Sequence, residues 1–509
     1  MPEFGLLSMQ VRRWDCRHEA NGFPVTGFIR AAAVALTLAP AAAVAQNFDA
    51  GFAAFNRNDY ATALREWRPL AERGDARAQS FLAMMYRNGR GVTQDRAEAA
   101  QWYRQAAEQG DEQAQYHLAM MHYSGEGVAR DFAEAARWFH AAAEQGHARA
   151  QHNLAVMHSN GLGTTQDLAA AAHWFLRAAE QGNADARNNL GVLYREGLGV
   201  ARDLTEAERW FRRAAEEGHS DAQNNLGLVY RDGLGLAQDF SEAERWFHRS
   251  ALGRHADAQN NLGLMYRDGL GMAQDLAEAV RLFHQAAEQG HAGAQNSLGV
   301  MYTLGQGVEQ DHAEAVRWIR RAAEQGRAVA QNNLGVMYRD GSGVNRDHAE
   351  AVQWFRRAAE QGDLDARNNL GVMYRDGLGV VQDNAEAVRW FRIAAEQGHA
   401  DARNSLGVMI YHGQGVAQDH AEAVHWFRLA AGQGDAGAQF NLGAMYHNGH
   451  GAARHTVSAL MWFGMAAEGG HQTARELLDS SATWASPAAL SEARQRARAC
   501  MTSNYQDCY

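Results

Sequence analysis

Tryptophan recurs every 36 residues along this chain, at positions 102, 138, 174, 210, 246, 318, 354, 390, 426 and 462, with Leu282 filling the one gap. Trp67 stands 35 residues before the first. A fixed period of this size marks a tandem array of supersecondary units, each too small to bury its own apolar face and closed by stacking on the next. Eleven units of 36 residues fit between Asp75 and Gly470. Length alone, at 509 residues, suggests about three ordinary domains. The period replaces that count with one quasi-linear array.

One unit, Asn183 to Gly218, shows what the repeat encodes. Ala186, Leu190, Gly191 and Tyr194 recur at helical spacing, so 184–196 reads as an amphipathic helix. Gly197 and Gly199 end it, since glycine adopts the left-handed conformation cheaply just past a helix. Asp203 and Glu206 then open a second helix in the pattern of a capping box, Asp accepting from the first free amides and Glu reaching back. The same Asp-x-x-Glu begins at Asp95, Asp131, Asp239, Asp275, Asp311, Asp347, Asp383 and Asp419, and lapses where Ala170 replaces Glu. Ala207, Trp210, Phe211 and Ala214 form the apolar stripe of the second helix, and Gly218 closes the unit. Alanine and glycine at the contact positions let paired helices approach closely, and tryptophan fills the space between units. In the unit at 219–254, Arg254 stands where the others have glycine and Gly253 is displaced by one, which predicts a local change of turn.

These residues resemble the Sel-one-like repeat, a branch of the tetratricopeptide superfamily. The matching positions in this copy are Ala186, Leu190, Gly191, Tyr194, Gly197, Gly199, Val200, Asp203, Ala207, Trp210, Phe211, Ala214, Ala215 and Gly218. The resemblance covers about four-fifths of the chain. It implies an all-α, right-handed superhelical solenoid of antiparallel helix pairs, with the first helices lining the concave side. It also implies adaptor or scaffold roles, often in the bacterial envelope or in host contact. The segment beginning Pro487-Ala-Ala-Leu-Ser-Glu-Ala-Arg resembles the tail that often follows such arrays.

The ends differ from the middle. Residues 46–74 read as a degenerate capping helix pair with Phe52, Phe55, Tyr60, Leu64 and Trp67 in its pattern. Residues 471–509 read as capping helices (Gln472–Leu478 and Pro487–Ser503) and a tail. Residues 1–45 read as a signal peptide and upstream leader: Arg30 precedes an apolar run, Ala31 to Ala45, that ends in small residues, which places cleavage after Ala45. That run, 15 residues long, is too short for a comfortable membrane span, so no integral membrane span is expected. Met1 and Met9 are alternative starts. The expected location is the periplasm or the exterior. Cys500 and Cys508 would remain after processing, and an even pair in an oxidising compartment reads as a disulfide staple.

The net charge is −11, the basic residues are all arginine, and no basic block occurs, which argues against a nucleic-acid partner. The first helices repeat polar pairs: Asn188-Asn189, Asn224-Asn225, Asn260-Asn261, Asn332-Asn333 and Asn368-Asn369. After the tyrosine come Arg195, Arg231, Arg267, Arg339 and Arg375. Asn189, Asn225, Asn261, Asn333 and Asn369 offer a donor and an acceptor each, and arginine adds a fork for carboxylates, so the ladder is a candidate clamp for an extended peptide. The competing reading is a solvated face or hydrogen bonding between helices. Serine interrupts the ladder at Ser297 and Ser405.

No metal, cofactor or catalytic residue is expected. The 23 histidines mostly occupy equivalent positions in different units, too far apart to share an ion; His447, His450 and His455 are the local exception, read as turn residues. The Gly-x-Gly turns follow helices, and no P-loop lysine exists. The leading reading is therefore a non-enzymatic protein–protein interaction scaffold whose concave face holds a peptide or protein segment, from an envelope or host protein. A structural part in a secretion, polysaccharide or cell-wall assembly is the second reading. A penicillin-binding or β-lactamase-like enzyme is the third, disfavoured because the cysteine-rich relatives it resembles carry a disulfide in each unit.

Overall fold

The computed structural model describes residues 48–503 together with Tyr505 and Cys508. The expected signal peptide and its cleavage point after Ala45 lie outside the described residues. Among the described residues the secondary structure is helical, with no strand. A helix over 48–56, α1, is followed by α2 (Tyr60–Glu72). From there first and second helices alternate with period 36, for example α3 (Ala76–Asn88), α4 (Arg96–Glu108) and α5 (Glu112–Ser124). Downstream come α9 (Ala184–Glu196), α10 (Leu204–Glu216), α11 (Ser220–Asp232), α12 (Phe240–Leu252) and α13 (Ala256–Asp268). The array ends with α23 (Ala436–Asn448) and α24 (Thr456–Glu468), then α25 (Gln472–Asp479) and α26 (Pro487–Thr502). The chain divides into two compact units, ending at Gln166 and beginning at Asp167. Within each, the fold is an all-α solenoid of antiparallel helix pairs.

Sequence explains the tight pairing. Gly191 on α9 lies against the Phe211 ring on α10: a Cβ there would sit 2.7 Å from the ring carbons. The same contact recurs at Gly227 with Phe247 and at Gly371 with Phe391. A glycine there lets the phenylalanine approach the partner helix closely, where it is wholly buried; Ala119 and Ala155 hold that place in earlier repeats.

The periodic tryptophans pack across the unit boundary. Trp246 of α12 joins a buried cluster with Phe211, Leu226 and Val229 of the preceding pair. Trp318 and Trp390 do the same two and four units on, with Phe283 and Leu298, and with Phe355 and Leu370. Leu282 takes that place in the gap, against Phe247 and Leu262. Each tryptophan thus closes a core that its own unit does not contain, and full burial of such a side chain is worth about 1.5–3 kcal/mol or more.

The capping box is only half made. Asp203 Oδ1 accepts from the amides of Thr205 and Glu206, at 3.0 Å each. The Asp203 amide, however, donates to the Tyr194 carbonyl of the preceding helix (3.0 Å), which leaves no role for a reaching Glu. The Glu carboxylate instead binds its own helix. Trp138 Nε1–H donates to Glu134 (3.0 Å) and Trp354 Nε1–H to Glu350 (2.9 Å). Arg137 and Arg209, three residues on, pair with Glu134 and Glu206.

The expected change of turn at 253–254 is absent. Arg254 itself takes the left-handed conformation, with φ of 62°, and its amide still donates to the Ala251 carbonyl at 2.9 Å. The turn keeps its path and a non-glycine residue bears the strain.

Candidate functional site

The first helices α9, α11 and α13, with α15 (Ala292–Leu304), α17 (Ala328–Asp340), α19 (Leu364–Asp376) and α21 (Ala400–His412), present one comparable face in the second unit. On α11 the stripe Asp221, Asn225, Leu228 and Asp232 keeps exposure while Ala222, Gln223, Leu226 and Gly227 are buried. These positions, i, i+4, i+7 and i+11, share one side of a helix.

The asparagines are spent largely on one another. Asn225 Nδ2–H donates to Asn188 Oδ1 of the preceding unit at 2.9 Å. Asn261 donates to Asn224 (3.0 Å), Asn333 to Asn296 (3.0 Å) and Asn369 to Asn332 (2.9 Å). Asn441 donates to Asn404 at 2.8 Å. Asn189 occupies the same register position and is half-buried. Each rung therefore links a helix to its neighbour 37 residues away. The serines have a definite consequence: Asn260 and Asn368, which would receive the rungs from 297 and 405, have Oδ1 atoms buried with no donor.

The arginine forks are engaged by adjacent carboxylates. Arg231 grips Asp232, Nε at 2.6 Å and Nη2 at 3.0 Å, and Arg267 and Arg375 hold Asp268 and Asp376 likewise. Arg339 holds Asp340 at 2.7 and 3.0 Å, and its remaining Nη1 reaches Asn369 Oδ1 at 3.3 Å. Arg195 bonds Glu196 (2.7 Å) and Asn225 (3.4 Å). The forks hold Asp340 and Asp376 below the usual carboxylate range. The ten candidate residues thus lie on one face and build it together. Each asparagine in the rungs keeps a second N–H and unused lone pairs.

A second ladder is built on the histidines at the starts of first helices, whose aspartate partners the sequence did not reveal. His219, His255, His291 and His399 cap their first helices, Nδ1 accepting from the third amide, as Ala294 N–H does to His291 at 2.9 Å. With Nδ1 an acceptor, the neutral ring carries its proton on Nε2. That N–H donates to an aspartate of the preceding unit: His219 to Asp185 (3.0 Å), His255 to Asp221 (2.7 Å), His399 to Asp365 (3.0 Å). His291 Nε2 lies 3.0 Å from Asp257. The histidine bond holds Asp257 and Asp365 below the usual carboxylate range, and Asp365 raises His399. The signal was a constant separation of 34 residues between Asp and His.

The remaining candidates resolve separately. His455 caps α24, His450 stacks on His420 and meets the Tyr411 hydroxyl (3.0 Å), and His447 lies edge-on to Trp484. Among the described residues no group of three or more His, Cys, Asp or Glu side chains could hold a metal ion. None of the described helices is long and apolar enough to cross a membrane. The second glycine of each Gly-x-Gly turn sits on the preceding second helix: a Cβ on Gly199 would lie 2.2 Å from the Leu168 carbonyl. Cys500 and Cys508 are buried with their Cα atoms 4.6 Å apart and their sulfurs joined, in a cluster with Leu460 and Met461 of α24.

The Sel1 repeat model matches eleven segments, from 76–111 through to 436–471. A solved structure similar to this chain is that of c5321, a protective antigen present in uropathogenic Escherichia coli strains and displaying an SLR fold. It is 36% identical, with a TM-score of 0.73 over 87% of this chain and 96% of that one. A Sel1 repeat protein from Oxalobacter formigenes is 35% identical over 60% of this chain and 90% of its own, with a TM-score of 0.48. No curated protein matches. With eleven repeat matches spanning well over half its length, the chain belongs to the Sel1 repeat family.

Proposed function

We propose that this protein is an exported, non-enzymatic scaffold that holds an extended segment of a partner protein along the face of its first helices. The observation that carries this reading is the rung-to-rung ladder. Asn225, Asn261, Asn333 and Asn369 tie successive helices into a continuous track. The unused carboxamide valences, half-exposed along it, are suited to the amides and carbonyls of an extended backbone. Sel1 repeats typically serve as interaction scaffolds, and repetition offers many equivalent contacts in place of a unique catalytic pocket.

Export rests on the leader ending at Ala45 and on the tail cysteines, whose pairing would pin the tail to α26 in an oxidising compartment. The likeness to a protective antigen of a pathogen supports exposure outside the cytoplasm. Sequencing the N-terminus of the mature protein should begin at Gln46, and thiol titration of the native protein should find no free thiol; two free thiols would reject the staple.

Binding is tested by photocrosslinking in the cell from a probe amino acid at Leu264, followed by replacing Asn225 and Asn261 with serine and Arg267 with alanine. Serine already occupies that position at 297 and 405, so the array tolerates it. Capture of a protein that the triple variant loses is the expected result. Capture that is unchanged by the triple variant sinks the clamp, and no capture from any first-helix position sinks the scaffold.

A further inference from the structure

The face just described carries a row of carboxylates along each edge with one interruption; those at the helix ends are paired with arginine forks. Asp221 and Asp257 stand at the second residue of their helices on one rim, and Asp365 and Asp401 stand there further along. Between them, α15 and α17 carry Gly293 and Val329. On the opposite rim, the last residue of the helix is Asp232 and Asp268, then Leu304, then Asp340 and Asp376. At Leu304 the fork is missing too, because Thr303 replaces the arginine and turns its hydroxyl onto the Gly299 carbonyl. Leu304 is 57% exposed and Val329 48%; they are the large hydrophobic side chains exposed on first helices among the described residues. With Val300 and Val336 on the same stripes they draw an apolar band, broken by Ser297 and Asn333 before it reaches Val329.

We infer that this band and its acidic flanks form the specificity site of the track, fitted to an extended polypeptide segment with apolar side chains at its centre and a basic residue on either side. This rests on the scaffold reading above. Charge complementarity selects the occupant. The carboxylates of Asp257 and Asp365 flank the band, each fixed through one oxygen by a histidine N–H, and the other oxygen of Asp257 lies 3.9 Å from His255 Nε2. An acidic segment would meet like charge at Asp257 and Asp365, and a uniformly basic one would leave Leu304 and Val329 uncovered. Spacing follows from packing: α13 and α19 are three steps apart at about 8–10 Å each, a span that an extended chain covers in about eight residues.

The probe is a fluorescein-labelled synthetic peptide with paired leucines at its centre, one arginine on each side about eight residues apart, and glycine and serine elsewhere. Its partner control carries glutamate for arginine. Anisotropy with the full-length protein should show the arginine peptide binding more tightly, with an advantage that shrinks as salt rises. Asp257→Asn with Asp365→Asn keeps an acceptor for each histidine, so the fold is retained; the double variant should weaken the arginine peptide about fivefold and bind the glutamate peptide no more weakly than before. Leu304→Ser with Val329→Ser should weaken both peptides about tenfold without changing the salt dependence. Equal binding of the two peptides, or indifference to both double variants, overturns the inference. The two readings separate in the crosslinking experiment: a captured partner whose segment over Val300 is acidic or polar leaves the scaffold standing and removes this site, whereas absence of any captured partner removes the scaffold itself.

Discussion

At the scale of single residues, small substitutions within a repeated frame are informative because neighbouring copies act as controls. Trp390 is 9% exposed and closes the core of the preceding pair with Phe355, Leu370 and Met373. Trp390→Ala removes that wedge and its bond to Glu386, and should cost about 3–5 kcal/mol in chemical denaturation. A loss under about 1 kcal/mol would contradict the wedge. Ser297→Asn works in the opposite sense. It supplies the missing donor to the buried Asn260 Oδ1, whose isolation is costly, and should stabilise by about 1 kcal/mol. Arg254→Gly relieves a left-handed arginine and should raise stability by about 1 kcal/mol in the same assay. Loss of stability in either variant would show that the copy has adapted around its exception.

At the scale of helices, several joints between units share a register rule that the joint at Asp401 breaks with like charges. Residue two of a first helix faces the cap of the next, 34 residues on, and Asp185, Asp221, Asp257 and Asp365 each meet a histidine there. Asp401 instead meets Asp435, whose carboxyl is raised by burial and by the Asp401 charge. Asp435→His restores the pairing found elsewhere, with Nδ1 still able to cap α23, and should stabilise by about 0.5–1 kcal/mol at pH 7. Calorimetry showing a lower midpoint would refute the rule. How much of this was legible beforehand follows from the same geometry. Helix boundaries, the buried stripe and the odd copies were readable because period and glycine position act within one unit. The direction of the asparagine rungs, the histidine–aspartate joints and the diversion of Glu134 and Glu350 to tryptophan were not. Those depend on how one copy is offset against the next, and a capping-box pattern is silent on whether a preceding tyrosine carbonyl has already taken the cap amide. The acidic rims and their apolar break were visible as residue types, and became a surface only when the stripe Asp221, Asn225, Leu228 and Asp232 was seen to be the exposed one.

At the scale of the whole molecule, the two compact units differ in what acid does to them. In the unit ending at Gln166, burial pushes His117 down to about 3 and His147 down to about 4, and lowers His122 as well. A histidine held neutral in the folded state has its stabilising effect intact above its unfolded pKa of about 6.5. Below that the unfolded chain takes up protons that the fold refuses, so stability falls at about 1.4 kcal/mol per pH unit for each such group until its folded pKa is reached. In the unit from Asp167, His399 moves the other way, raised by Asp365: protonation strengthens that pair below the unfolded pKa, while the proton gained on Nδ1 opposes it by displacing the Ala402 amide. Asp111 and Glu112, raised by burial in the first unit, gain stability on protonation and oppose its loss, so the contrast belongs at pH 5.5, above the ordinary carboxylate range. Hydrogen exchange followed by mass spectrometry at pH 7.5 and pH 5.5, corrected for the intrinsic pH dependence, should show protection falling across residues 60–124 and holding across 204–448. His117 sits at the helix position occupied by asparagine in later repeats, so His117→Asn offers the decisive control. That variant should remove the largest single part of the acid loss while leaving the neutral-pH protection of the second unit as it was. Equal loss of protection in both units at pH 5.5, or an acid response untouched by His117→Asn, would show that the buried histidines do not govern it.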